Sequence, residues 1–384
     1  MYRTNLKHHL VSACALLLSF SFLFAQDNYK LKYDNSLVYA GIEVGSKGVK
    51  MSLLEVGKDA QISGAFNILK DTSVNTDFIS FSQPTSLATL NGLSNLYGTA
   101  LKDYNIPSNR IFTVVSSGVK MQAEKENKTI WVNNLVDSFR LKINEPKRQV
   151  EVVDVLQEAR LSHLGIVPIS KRHATFLIDI GSGNAKGGYF PIDDNINDFK
   201  LFQLNWGTKS TANAAEKKCD EFDKTLANYN RQLYKVLVAA ESSELIFAVN
   251  SSGAYNLNDY IAFSGGIAWA AATLLQPEQI DNSVVVVSYE DVMKLGEQLY
   301  SNYSSLSDTA LVKNIDRNLD KKAIAKEIKR VHGVFDQRSL MAGTGLLLKI
   351  MRQFKSIYES KGFFLVKNGQ VGWVSAYVDQ SVVK

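Results

Sequence analysis

Short apolar stretches broken by glycine-containing turns dominate the chain from position 37 to 66, a pattern typical of β-hairpins. We predict a hairpin over Leu37–Val56 and a third strand over Gln61–Phe66. Apolar residues then recur at helical spacing from Leu87 to Tyr104. This helix is expected to end at Asn105–Ser108, which contains a proline.

Helix and strand segments alternate from there to about position 167. Asp154 is a predicted helix N-cap with Gln157 as its capping-box partner, and this helix is expected to run to about Leu164. The other elements predicted in this part are strands at Ile111–Val115 and Gln149–Val153 and a helix around Thr129–Leu141.

The second half of the chain repeats this order of elements. A hairpin plus a strand, followed by helix–strand units and occurring twice, indicates an internally duplicated α/β protein with two lobes. We place the lobes at 37–167 and 172–384, joined at Pro168–His173. The elements predicted here are a hairpin at Thr175–Phe190, a strand at Phe199–Leu204, a long helix near Thr211–Tyr229, a strand at Glu244–Ser251, a strand at Ile261–Phe263, a helix at Ile267–Leu275, helices from Tyr289 through Arg338–Tyr358, and a final hairpin at Phe363–Tyr377.

Two similar turns, one in each half, are the main sign of chemistry. Gly41–Gly48 and Asp179–Lys186 both have the order strand, acidic residue, glycine turn, strand. Glycine accepts positive φ and has no Cβ, so the N–H groups of such a turn can converge on an anion. A carboxylate at the strand end, here Glu43 or Asp179, can hold a metal-bound water beside a phosphate. The sequence therefore predicts two facing turns around a phosphate chain.

Composition adds few constraints. The 384 residues include 45% hydrophobic residues and carry a net charge of +5, which fits a globular protein of two domains. A mild positive charge favours the approach of a polyanion. The sequence has no basic patch interleaved with aromatic residues, so nucleic-acid binding is not predicted. The histidines lack the spacing of zinc ligands, and pairs such as Lys171-Arg172 are best interpreted as solvated surface.

The N-terminus has the order of a secretory signal peptide. A basic segment precedes the apolar run Leu10–Phe24, and cleavage is expected after Ala25, so residues 1–25 are predicted to be removed. Cleavage also removes Cys14 and leaves Cys219 without an intrachain disulfide partner. We therefore expect an exported protein, periplasmic or secreted, with no membrane span after cleavage.

Several motifs in the same order resemble the exopolyphosphatase and guanosine pentaphosphate phosphohydrolase (Ppx/GppA) family, a branch of the actin, sugar-kinase and heat-shock ATPase superfamily. The resemblance covers roughly Leu37 to Tyr377. It implies a two-lobed, duplicated ribonuclease-H-like (actin-like ATPase) fold with the active cleft between the lobes. The matching segments are Glu43–Gly48, Ser116–Lys120, Gln157–Leu161, Asp179–Lys186, Gly265-Gly266 and Arg338–Leu347.

The resemblance also implies roles for individual residues. Glu158 would orient and deprotonate the attacking water, and Glu43 and Asp179 would hold Mg²⁺ or Mn²⁺. We expect Lys120 and Lys186, which depart from the family pattern, to serve as catalytic cations that hold the phosphates. A plainer interpretation makes Glu158 a favourable charge in the first turn of a helix and Asp179 a structural cap. The implied phosphate-binding residues are Gly45, Ser46, Lys47, Gly181, Ser182, Gly183, Asn184, Gly265 and Gly266.

Departures from the family pattern make the cleft more cationic. Glu43 replaces an aspartate, Lys120 an arginine, and Lys47 an asparagine. Lys186 replaces a glutamate, which reverses a charge beside the implied metal. Lys186 is therefore expected either to weaken metal binding or to clamp phosphate itself.

Three functions remain open from the sequence. The first is a hydrolase that releases terminal phosphate from polyphosphate or a related chain. The second is an exported nucleoside di- or triphosphatase, since Ser116–Lys120 is also similar to an element of the secreted apyrase family. The third is a non-catalytic phosphate-chain binder, which the charge at Lys186 suggests. A homodimer is also left open.

Overall fold

Two mixed β-sheets form the frame of the structure. The computed structural model describes residues 31–46, 48–57, 66–191, 198–355, 361–367 and 369–382. The strands are β1 (Leu37–Val44), β2 (Gly48–Val56), β3 (Phe66–Asn75), β4 (Ile111–Val115), β5 (Val150–Val152), β6 (Thr175–Ile180), β7 (Ala185–Tyr189), β8 (Lys200–Leu204), β9 (Tyr260–Ser264), β10 (Val284–Val287) and β11 (Gly362–Val366).

The two sheets share the order of their first four strands. The first is β3-β2-β1-β4-β5 and the second is β8-β7-β6-β9-β11-β10. In each, three antiparallel strands come from consecutive hairpins, and the first of them pairs in parallel with the fourth strand of the sheet, β1 with β4 and β6 with β9. The next strand, β5 or β11, continues in parallel, and β10 pairs antiparallel with β11 at the edge of the second sheet. Because parallel neighbours need crossover connections, helices lie between those strands in the chain. The predicted duplicated α/β fold class is confirmed.

Helices cover the sheets. They are α1 (Gln83–Gly98), α2 (Ser117–Lys125), α3 (Thr129–Lys142), α4 (Val155–Ile166), α5 (Thr208–Lys218), α6 (Leu226–Ala240), α7 (Ile246–Ser252), α8 (Ala254–Leu257), α9 (Gly266–Leu275), α10 (Tyr289–Ser301), α11 (Asp308–Lys313), α12 (Lys321–Val334), α13 (Gln337–Phe354) and α14 (Gly369–Val382). Asp154 caps α4 as predicted by accepting the N–H of Gln157. The Gln157 side chain donates to Glu151 instead of closing a capping box.

The last helix returns to the first sheet. Trp373 and Val374 of α14 pack with Val114 and Leu161, and α14 crosses α4 at close range. A Cβ built on Gly165 would lie 2.0 Å from the Gly372 carbonyl oxygen, so only glycine allows this crossing. The end of the chain, predicted to belong to the lobe 172–384, thus packs against residues of the segment 37–167.

The predicted strand at Glu244–Ser251 is wrong. The segment is helical, because a π-helical turn at Glu241–Leu245 continues α6 into α7. Leu245 and Val249, four residues apart, are buried, whereas Phe247 is exposed. One buried helical face therefore explains the apolar residues that resembled a strand.

The predicted hairpin at Phe363–Tyr377 is also wrong. Strand β11 lies between β9 and β10, so neither of its edges can accept a hairpin partner. The residues after it form α14 instead. The long helix near Thr211–Tyr229 is two helices, because Asp220 and Asp223 accept backbone N–H groups in a turn between α5 and α6.

Some predictions fall outside the described residues. These are the signal peptide at 1–25, Lys47, and residues 61–65 of the expected third strand. The observed third strand, β3, begins at Phe66, where the predicted strand ends. Within the described residues, no helix combines the length and apolar character needed to cross a membrane.

Candidate functional site

The first glycine turn connects β1 to β2. Its Gly45 N–H donates to the Gly48 carbonyl at 2.8 Å, and Glu43 is the second-last residue of β1, two residues before Gly45. A Cβ built on Gly118 would lie 3.3 Å from the Ser46 hydroxyl, which places this turn beside the first residues of α2. Gly45 and Ser46 line a cleft.

The second turn, Gly181–Asn184, has the same closure, with the Gly181 N–H donating to the Asn184 carbonyl at 2.9 Å. Its carbonyl oxygens point into the start of α5, where the N–H groups of Thr208 and Lys209 donate to Gly181 and Ser182. In a trans peptide the N–H is opposite the carbonyl. The N–H groups of Ser182 and of the next residue are therefore directed away from α5, as in an anion-binding nest.

The docking of this turn requires glycine at position 207. A Cβ there would lie 2.6 Å from the Gly181 oxygen and 2.7 Å from the Asn184 nitrogen. Both contacts are with backbone atoms, which cannot move without displacing the turn. Gly207 thus helps to fix the position of the second turn, although it lies outside the motifs recognised in the sequence.

Each turn carries an acid and a lysine on directly opposed strand positions. Glu43 pairs with Lys50 across β1 and β2, and Asp179 pairs with Lys186 across β6 and β7. In both cases the lysine follows the acid by seven residues. Opposed residues in an antiparallel pair lie on the same face of the sheet, so each carboxylate has a lysine neighbour.

Lys186 reaches across the cleft to Glu158 on α4. The Lys186 Nζ lies 2.6 Å from the Glu158 Oε1 and donates to the Ser117 hydroxyl at 3.3 Å. The Ser117 N–H, at the start of α2, donates to the other Glu158 oxygen at 2.7 Å. Glu158 and Lys186 are 4% and 6% exposed, so this ion pair is buried between elements of the two halves.

The pair sets the charge state of Glu158. Burial by itself raises the pKa of this carboxyl, but the Lys186 ammonium and the hydrogen bonds from Ser117 outweigh burial and hold the pKa below its usual range. For Lys186, burial opposes the charged form, and Glu158, Asp179 and Glu43 together raise its pKa. Both groups are therefore ionised at neutral pH.

The other two carboxyls behave differently. Burial raises the pKa of Glu43, partly offset by Lys50, and burial raises that of Asp179, partly offset by Lys186. The Ser264 hydroxyl donates to Asp179 at 2.9 Å. Gly265, the residue after Ser264, has a φ of 93°. A Cβ on Gly265 would lie 3.0 Å from an Asp179 oxygen and 2.3 Å from the Ile180 carbonyl oxygen. Gly265 thus permits β9 to approach the end of β6.

The residues expected to hold a divalent cation do not fit one. The Lys186 ammonium contacts Glu158 directly, and the charges of Glu43 and Asp179 also act on it. Across the described parts of the chain, no three His, Cys, Asp or Glu side chains are grouped so that they could hold a metal ion. The two residues that the resemblance assigned to Mg²⁺ or Mn²⁺, Glu43 and Asp179, each have a lysine as their cross-strand partner instead.

Most of the residues described above line one cleft of about 1650 Å³. Of the predicted residues, the structure brings together Glu43, Gly45, Ser46, Glu158, Asp179, Gly181, Ser182, Gly183, Asn184, Lys186, Gly265 and Gly266. Lys120 is half-buried on α2 and is not among the described residues that line it. The neighbouring Gly118, Met121 and Gln122 form the cleft wall instead.

Sequence reasoning missed Lys50, Ser117, Gly207 and Ser264. The seven-residue spacing from acid to lysine, present in both turns, was a visible signal for Lys50. Ser117 lies in the recognised segment Ser116–Lys120, but its contacts with Glu158 and Lys186 depend on how distant elements pack. The contact of Gly207 likewise depends on the approach of a distant turn and has no signal in the order of residue types.

Known proteins resemble this chain in structure but not measurably in sequence. No family model matches it, and no curated protein matches its sequence. A Ppx/GppA family member from Aquifex aeolicus is similar in structure, with a TM-score of 0.58 and 15% identity over 91% of this chain and 98% of that one. An exopolyphosphatase from Cytophaga hutchinsonii has a TM-score of 0.53 and 14% identity over 90% and 98%.

A third structure, of an exopolyphosphatase-like protein, has a TM-score of 0.57 and 12% identity over 91% of this chain and 100% of that chain. Likeness at such low identity concerns the backbone arrangement and leaves the chemistry to be argued from the site. This chain therefore has the two-lobed fold of the Ppx/GppA structures.

Proposed function

We propose that this protein hydrolyses phosphoanhydride bonds in the cleft and releases the terminal phosphate of polyphosphate or a related phosphate chain. The position of Glu158 is the observation that carries the proposal. It is a buried carboxylate, fixed between the two glycine turns by Lys186 and by the Ser117 N–H. A phosphohydrolase needs an ionised, oriented acceptor for water at such a point.

Different groups of the site bind the phosphate chain and orient the water. The N–H groups of the second turn and the ammonium groups of Lys50 and Lys186 bind phosphate oxygens. Glu158 stays ionised because of its lowered pKa, and each of its oxygens retains a lone pair that can accept a hydrogen bond from water. The water oxygen bonds to the terminal phosphorus while the bridging P–O bond breaks, and the bridging oxygen leaves with its electron pair on the shortened chain. One water proton passes to Glu158 and from there to the leaving oxygen or to solvent, and the other stays on the released phosphate.

The low basicity of Glu158 fits this chemistry. Phosphoryl transfer has a loose transition state, so orienting the water contributes more than strong proton abstraction. The likeness in fold to structures described as exopolyphosphatases supports the same reaction class. We further propose export through residues 1–25, which predicts a mature N-terminus at Gln26 in the protein isolated from its host.

A second candidate is phosphate-chain binding without turnover. It is favoured by the same ion pair, because Lys186 and Ser117 already contact both oxygens of Glu158. Under this alternative Glu158 serves only to hold Lys186 in place for a bound anion.

A phosphate-release assay with long-chain polyphosphate, ATP and ADP separates these functions. We expect release from polyphosphate by the wild type, and a rate about 10²- to 10⁴-fold lower for Glu158→Gln. Glu126→Gln, an exposed glutamate in the same half of the chain, is the matched control and is expected to keep the wild-type rate. Equal release by wild type and Glu158→Gln would refute the proposal, and faster release from ATP or ADP would assign a nucleotidase.

A further inference from the structure

A buried lysine lies beside the acidic residues of the cleft. Lys186 is 6% exposed, and its Nζ contacts Glu158 at 2.6 Å. The charges of Glu43 and Asp179 also act on this ammonium. Lys186 thus contacts Glu158 directly, is the cross-strand partner of Asp179, and is influenced electrostatically by Glu43.

The second lysine completes the charge balance. Lys50 lies opposite Glu43 on the neighbouring strand, and its charge acts on both Glu43 and Asp179. Two ammonium groups carry the same charge, +2, as one divalent cation. Three carboxylates with two lysines therefore have the same net charge as three carboxylates with one Mg²⁺.

The two lysines are related by the duplication of the fold. Each is seven residues after the acid of its own glycine turn, and each is the cross-strand partner of that acid. The same acid–lysine pair thus stands on both sides of the cleft. This repetition is independent of the ion pair with Glu158.

Lys186 also retains the capacity to bind a ligand. An ammonium has three N–H donors, and Glu158 and Ser117 take two of them. The third remains for a phosphate oxygen. A metal ion in this place would instead share its coordination sphere between carboxylates, water and phosphate.

We propose that the ammonium groups of Lys50 and Lys186 replace the divalent cation in this cleft, so that a phosphate chain binds without Mg²⁺ or Mn²⁺. This inference rests on the proposed function for the identity of the ligand. It concerns how the ligand is held, and its test does not require turnover.

Titration calorimetry with methylenediphosphonate, a phosphate-chain analogue that is not hydrolysed, measures the binding directly. We expect affinities within about twofold in EDTA and in Mg²⁺, because the protein supplies the positive charge. Lys50→Gln, at a half-buried position outside the buried ion pair, should weaken binding about tenfold, and Lys186→Gln about 10- to 100-fold. Affinity more than about tenfold higher in Mg²⁺ would overturn the inference.

Electron paramagnetic resonance of Mn²⁺ gives a second readout that does not involve the phosphate chain. Wild type should show no stoichiometric Mn²⁺ site, whereas Lys186→Glu should bind one Mn²⁺ because a fourth carboxylate replaces the ammonium. Lys200→Glu, an exposed lysine on β8, is the matched charge control and should bind none. One Mn²⁺ per wild-type chain, lost in Asp179→Asn, would contradict the inference.

The two proposals fail in different ways. Metal-free binding of the analogue without phosphate release would refute the proposed hydrolase and leave this inference intact. Phosphate release that requires Mg²⁺, together with a Mn²⁺ site in the wild type, would refute this inference and leave the hydrolase intact.

Discussion

Replacing Lys186 by methionine tests whether the ion pair behaves as a buried one. The Lys186 and Glu158 side chains are 8% and 5% exposed, and their charged atoms lie 2.6 Å apart. Removing one partner of such a pair leaves an uncompensated charge and costs about 3–5 kcal/mol of unfolding free energy. We expect the unfolding free energy of Lys186→Met near neutral pH to be about 3–5 kcal/mol below that of the wild type.

The pH dependence of this loss follows from the pKa shifts. In the wild type the pKa of Glu158 is below 4.5, so its contribution to stability is present above that pH and is lost as the pH falls through the lowered value. In Lys186→Met burial raises the pKa of Glu158, which then takes up a proton at higher pH. The raised pKa of Lys186 keeps its contribution complete below about pH 10. The difference between the two proteins should therefore shrink as the pH falls toward 5.

Urea unfolding followed by tryptophan fluorescence measures this difference at a series of pH values. Lys200→Met is the matched control, since Lys200 pairs with Asp198 at the surface and its loss should leave stability nearly unchanged. A loss below about 1 kcal/mol for Lys186→Met, independent of pH, would refute the reasoning, because that is the behaviour of an exposed pair.

Three further predictions concern packing and titration. Gly207→Ala should displace the turn at Gly181, lower stability by about 1–3 kcal/mol and weaken methylenediphosphonate binding, measured by urea unfolding and calorimetry. Gly165→Ala should push α14 from Gly372, which faster amide hydrogen exchange in α14 would show. Burial lowers the pKa of His163 from 6.5 to about 4, so the fold favours the neutral imidazole. The unfolding free energy should therefore be constant above pH 6.5 as far as His163 is concerned, and fall by about 3 kcal/mol as the pH decreases toward 4. His163→Gln should remove that part of the pH dependence of urea unfolding.

Matched variants show whether these effects depend on position. A Cβ on Gly98 or Gly183 would meet no atom within 4 Å, so alanine at either should leave stability close to that of the wild type. Gly207→Ala with wild-type binding, unchanged exchange in Gly165→Ala, or an unaltered pH profile in His163→Gln would each contradict the corresponding argument.

The duplicated sheets were predictable because local patterns specify them. Each glycine turn lies between two apolar strands, and the strand order then follows from hairpins and crossovers. The segment Glu244–Ser251 could not be assigned in this way, because its apolar residues suit a strand and a buried helical face equally. The packing of α14 depends on contacts more than 200 residues apart, such as Gly165 with Gly372, which leave no local pattern.

The candidate site was predictable to a similar extent. The turns and Glu158 were found from motif order, and all line the cleft. The ion pair between Lys186 and Glu158 was not predicted, because Lys186 lies on β7 and Glu158 on α4, and the two side chains meet only when the two halves pack together. Lys50 was overlooked although its spacing from Glu43 repeats that of Lys186 from Asp179.

Phosphorus NMR of long-chain polyphosphate, incubated with the purified protein in EDTA and in parallel in Mg²⁺, is the decisive experiment on the proposed hydrolase. We expect in both solutions an orthophosphate signal that grows while the number of chain ends stays constant, and a much slower rise with Glu158→Gln. Absence of orthophosphate with the wild type in both solutions, or the same rate with Glu158→Gln, would contradict the hydrolase, whereas orthophosphate in Mg²⁺ alone would contradict only the metal-free binding.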